Sequence, residues 1–178
     1  MDVGGGPLIR SLAGQSPVIH ETAFVSEFAY VIGDVEIGEG SSVWPGAIIR
    51  ADMGSIVIGR FTNLQDNSIV HGDADVVIGD YVTVGHKVLC HANKIGEGSV
   101  LGNGAILNDG VVIGDYSFIA SGAMLVDNVE IAERSLVVGS PGKAIRTVSE
   151  RHLERMKWYN EVYQEKTRTY KAEGNLES

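Results

Sequence analysis

Three of the five histidines lie in one stretch, Asn63 to Asn93, which reads NLQDNSIVHGDADVVIGDYVTVGHKVLCHAN. His71, His86 and His91 share it with Asn63, Gln65 and Asp66, side chains able to orient them. Imidazole is the commonest metal ligand among side chains. Three imidazoles on one ion leave a coordination position open for water, as in catalytic zinc sites. Whether these three can meet depends on the elements that carry them.

Those elements repeat. An aliphatic phase residue recurs about every six positions from Ile19 to Val137. Every third one falls in a single column: Ile19, Ile37, Ile58, Ile78, Ile95, Ile113 and Ile131. The next residues are His20, Gly38, Gly59, Gly79, Gly96, Gly114 and Ala132. One inward aliphatic per face and a small residue at the corner describe a triangular β-solenoid of six to seven coils. A sandwich of alternating strands does not account for this regularity.

The register makes the histidines interpretable. A second column runs Ile49, Val70, Cys90, Leu107, and the next residues are Arg50, His71, His91 and Asn108. His71 and His91 therefore sit on adjacent rungs, about 4.8 Å apart at the backbone. His86 belongs to the column Leu64, Val84, Leu101, above Asp66 and below Asn103. Roughly 15 Å of extended chain separates it from His91. Sharing one ion then requires His86 of a neighbouring chain. Such a contact joins unlike edges and closes into a ring, most simply of three chains. His20 and His152 read as solvated corners, and Cys90 as core.

Hexapeptides such as IGEGSS, IGDYVT and IGEGSV resemble the left-handed β-helix of hexapeptide-repeat proteins. The hand is implied by that resemblance and not by the period. The set Arg50-x-Asp52, Asn63-x-Gln65-Asp66-x4-His71 and Gly85-His86-x4-His91 resembles the motifs of gamma-class carbonic anhydrases. The resemblance covers essentially the whole chain. It implies a homotrimer that hydrates CO2 to bicarbonate, with Zn²⁺, or Fe²⁺ or Co²⁺, held by His71 and His91 of one chain and His86 of the next. It implies that Gln65 and Asn63 orient hydroxide or substrate. It makes Arg50, Asp52 and Asp66 an intersubunit ion-pair set. Asn103 stands at the pocket wall where many relatives have methionine. The glutamate proton shuttle of the best-studied form is missing from the short insertions MGSIV and GDAD. Tyr163 and Tyr159 are the candidates for a pocket or shuttle role. Two other readings stay open: a non-catalytic trimeric metal-binding scaffold, and an acyl-CoA transferase using one histidine.

The remaining features bound the class. At 178 residues one domain is the default. We divide it into an N-terminal arm (1–16), the β-helix (17–146), a C-terminal helix (147–172) and a tail (173–178). Thr147 to Glu150 reads as a capping box. Leu153, Met156 and Tyr163 read as one buried stripe of a helix running from Ser149 to about Lys171. AEGNLES and the first six residues are expected to be mobile. A net charge of −9 gives no electrostatic footprint for nucleic acid. One cysteine excludes an internal disulfide. The N-terminus lacks the features of a signal peptide, and no apolar run is long enough to span a membrane, so the expected compartment is the cytoplasm.

Overall fold

The structure, a computed structural model, describes residues 8–173. Among these residues the chain winds into a parallel β-solenoid of about seven turns followed by a single helix. The column of isoleucines lies inside it: Ile37, Ile58, Ile78, Ile95 and Ile113 are fully buried. They are paired rung to rung in register, as in Ile58 with Ile78 and Ile95 with Ile113. The corner glycines let coils stack closely. A Cβ on Gly59 would stand 2.5 Å from the carbonyl carbon of Gly79. A Cβ on Gly96 would meet the Asp115 backbone nitrogen, also at 2.5 Å.

Not every corner is small. Phe61, Tyr81 and Tyr116 adopt positive φ, where glycine is the usual choice. Stacking offsets the strain for the first two, whose rings lie nearly parallel with centroids 5.3 Å apart. The solenoid also ends in a way its period does not announce. Strand Lys143–Thr147 turns back and pairs antiparallel with Ser135–Val138. At the other end, Leu8–Arg10, placed by sequence in the arm, pairs with Tyr30–Ile32 as an extra parallel strand.

The helix spans Glu150–Ala172, so the predicted start at residue 147 is corrected. Thr147 ends the last strand. The N-cap is Ser149, and His152 takes the place expected for an acid: its Nδ1 accepts the Ser149 backbone N–H at 3.2 Å. His152 is thus a helix cap and not a free corner. The buried stripe is Met156, Asn160, Tyr163 and Thr167, with Leu153 only half-buried. Asn160 belongs to it because its amide donates to the Phe61 carbonyl at 2.6 Å. Hydrogen bonding, not apolarity, fixes that turn of the helix to the solenoid. No helix among the described residues is long and apolar enough to cross a membrane. The expectations for the first six residues and for AEGNLES lie, apart from Ala172 and Glu173, outside the described residues.

The solenoid core carries the fold, so deleting volume from its middle must cost stability. Ile95→Ala should destabilise by about 2–5 kcal/mol, whereas exposed Val18→Ala should change stability by less than about 0.5 kcal/mol. Denaturant titrations of both variants check this; equal midpoints would contradict the packing account.

Candidate metal centre

His71 and His91 follow the fully buried Val70 and Cys90, which pair in register on adjacent coils. Side chains alternate in and out along a strand, so both imidazoles point outward on one face. Their rings tilt together with centroids 4.7 Å apart. Nδ1 of His71 stands 2.6 Å from Nε2 of His91.

Each outer ring nitrogen is already engaged. His71 Nε2 donates to the Asp52 carboxylate at 2.7 Å. His91 Nδ1 donates to the Asp109 carboxylate. In neutral rings these bonds fix the tautomers, so two lone pairs face each other across the gap. Only a positive charge between them, a proton or a metal cation, relieves that repulsion. Carboxylate–histidine pairs of this kind are the usual second support of a metal ligand. On a tetrahedral ion, donors at about 2.1 Å stand about 3.4 Å apart, so the pair needs to open by about 1 Å. The donor set fits a divalent transition ion.

The residues expected to pair between subunits have partners within the single chain as well. Arg50 pairs with Asp52. The hydrogen bond from His71 holds the Asp52 carboxyl below the usual carboxylate range; desolvation opposes the shift and the Arg50 charge adds to it. Asp66 pairs with His86 Nδ1 at 3.0 Å. Asp109 is the residue that sequence reasoning missed. It is displaced by one position from the column of Arg50, His71, His91 and Asn108, so the register alone does not point to it.

His86 stands on the other sheet, after Val84, which pairs with Leu64 and Leu101. Its backbone N–H donates to Asn103 Oδ1 at 3.1 Å, and its Nε2 lies 3.2 Å from the Tyr163 hydroxyl. It is therefore not brought together with His71 and His91 in one chain. A cleft of about 280 Å³ opens here between solenoid and helix, lined by Gln65, His86, Asn103, Tyr159 and Tyr163 among others. Gln65 is nearly buried; its amide N–H donates to Asn63 Oδ1 at 3.0 Å. Asn63 in turn donates to Thr83 Oγ1 at 3.0 Å. That chain leaves the Gln65 carbonyl oxygen as the acceptor facing the cleft. Burial, with the nearby Asp66 charge, pushes the Tyr163 phenol up to about 12. Cys90 is fully buried and its thiol is pushed up to about 11, so it is core and no thiolate ligand.

The fold and the paired histidines place the chain among hexapeptide-repeat proteins. The family model described as "Bacterial transferase hexapeptide (six repeats)" matches residues 16–51 and 94–127. The chain is 34% identical to "Gamma carbonic anhydrase 1, mitochondrial" of Arabidopsis thaliana over 153 residues, covering 82% of this chain and 56% of that protein. It is 35% identical to "Carbonic anhydrase" of Geobacillus kaustophilus (strain HTA426) over 167 residues, covering 93% of this chain and 92% of that protein. The chain belongs to the gamma-class carbonic anhydrase family. It spans a little over half the length of the plant relatives. Among solved structures, a hexapeptide transferase family protein from Anaplasma phagocytophilum superposes with a TM-score of 0.88 at 34% identity, covering 92% of this chain and 98% of that one.

The raised phenol is directly testable. With the tyrosine ring carbons labelled with carbon-13, the Tyr163 Cζ resonance should still report a neutral phenol at about pH 11. Ionisation near the ordinary value of about 10 would mean that the ring is not buried against Trp44 and the Asp66 charge as described.

Proposed function

We propose that the protein is a metal-dependent carbonic anhydrase whose three sites lie between the chains of a homotrimer. His71 and His91 of one chain and His86 of its neighbour hold the ion, Zn²⁺ or Fe²⁺ or Co²⁺. The observation that carries this reading is the facing pair of ring nitrogens, each fixed by its own carboxylate. The third histidine is also carboxylate-held, but it sits in a cleft on another face. Two incomplete halves on different faces of one chain are what a site built in trans requires.

An apolar stripe supports the contact. Ile48, Ile69, Leu89, Ile106 and Met124 pair rung to rung along the face that carries His71 and His91, and all point outward. Leu89 and Ile106 are exposed in the single chain. Covering them against a neighbour would stabilise the trimer.

When bound, the divalent ion would supply the Lewis acidity that makes water a nucleophile at neutral pH. The chain's own residues do the rest. The Gln65 carbonyl oxygen, held in place through Asn63, accepts a hydrogen bond from water or bicarbonate in the cleft. Tyr163, like any phenol, is protonated at neutral pH, and burial keeps it further from ionising, so it donates a hydrogen bond and is no proton acceptor. Asn103 holds the His86 backbone. Asp52 and Asp66 orient His71 and His86, and Arg50 balances the Asp52 charge. Acyl transfer from a CoA thioester needs a single histidine base and leaves the paired nitrogens without a purpose.

Two experiments test the reading. Mixing His86→Ala chains with His71→Ala chains should restore sites of wild-type metal affinity in mixed trimers, because a complete site needs His71 from one chain and His86 from another. Verified mixed trimers with no site tighter than those of His86→Ala protein alone would contradict the shared site. In stopped-flow assays, metal-loaded protein should hydrate CO2 with a rate that rises through a pKa of about 7. Gln65→Ala should keep the metal and lower kcat/KM by about tenfold to a hundredfold. Hydration no faster than the buffer blank, with metal bound, would leave only a metal-binding scaffold.

A further inference from the structure

Asp73 has no part in the trans site above. Yet its carboxylate forms a group with the ring nitrogens of His71 and His91 in which all ligand atoms lie within 4.8 Å of one another. All three residues belong to one chain. Asp73 lies in the short turn between strands Ile69–His71 and Val76–Ile78, beside the His71 ring.

The other carboxylates here are committed. Asp52, Asp66 and Asp109 each hold a histidine. Asp75 accepts the Ser55 N–H at 2.9 Å and its hydroxyl at 3.0 Å. Asp73 is exposed and makes no hydrogen bond or ion pair with any described residue. It is the carboxylate beside the facing nitrogens that is free to turn toward them.

We propose that His71, Asp73 and His91 form a loading site within the single chain, and that in the trimer His86 of the neighbouring chain takes the place of Asp73. The inference rests on the metal site proposed above. Two histidines and one carboxylate with open positions suit Fe²⁺ and similar divalent ions. To ligate, the histidine nitrogens separate by about 1 Å and the exposed carboxylate moves in, both toward donor spacings of about 3.4 Å. The exchange has a chemical consequence. An anionic ligand lowers the net charge of a divalent centre, and a neutral imidazole restores it. The restored charge is what makes bound water acidic. Loading would then come before assembly, and assembly would switch on the chemistry.

Cobalt binding, read by visible absorption and equilibrium dialysis, tests this without an activity assay. His86→Ala protein should still bind one Co²⁺ per chain, more weakly than wild type, with an altered ligand-field band. His86→Ala/Asp73→Asn should lose saturable binding at cobalt concentrations that fill His86→Ala. Asp73→Asn alone should bind, because the neighbouring His86 completes the site. Should His86→Ala misfold by circular dichroism, His86→Gln serves in its place. No cobalt on folded His86→Ala, or equal binding by the single and double variants, overturns the loading site. Wild type that binds no cobalt overturns the trans site as well, whereas wild type that binds cobalt and hydrates no CO2 overturns only the enzymatic reading.

Discussion

Two ring nitrogens aimed at each other across 2.6 Å are the constraint on which the rest of this structure depends. Neither histidine can turn away without losing its carboxylate. Neither can retreat, because each follows a residue locked into the core, Val70 under one and Cys90 under the other. The solenoid sets the separation of the rings through its coil spacing, and Asp52 and Asp109 set which nitrogens face inward. A proton or a metal ion between the two nitrogens resolves it.

The second half of the proposed site is made by different means. His86 owes its place to the repeat, but its surroundings come from the helix. Tyr163 reaches His86 because Trp44 packs edge-on against the tyrosine ring, with centroids 5.3 Å apart. Phe24 and Tyr170 extend that aromatic cluster along the same seam. Asn160 fixes the helix one turn earlier. The cleft is therefore a tertiary product, and its order depends on packing between the helix and the coils.

This division explains what the sequence disclosed. The isoleucine column and the stacked His71 and His91 were legible, because a coil of fixed length forces equivalent residues onto one edge. The helix was legible too, though its cap was misplaced: His152 fills a position where the pattern leads one to look for an acid. Asp109 escaped because its side chain reaches to the rung below from a backbone position one step off the column. Asp52 and Asp66 were expected in an intersubunit ion-pair set with Arg50, but that each also holds a histidine of its own chain was not legible, because the register does not show where a corner side chain reaches. The returning strand Lys143–Thr147 breaks the period that made everything before it readable.

The central claim is that the two facing nitrogens are half of a metal site completed by another copy of the chain. Anomalous diffraction from a crystal of cobalt-loaded protein tests it most directly. The account predicts one anomalous peak per chain, about 2.1 Å from His71 Nδ1, from His91 Nε2 and from His86 Nε2 of a neighbouring chain. A fully loaded crystal with the ion elsewhere, or with His71 and His91 still joined across their gap and His86 still on Tyr163, would contradict it.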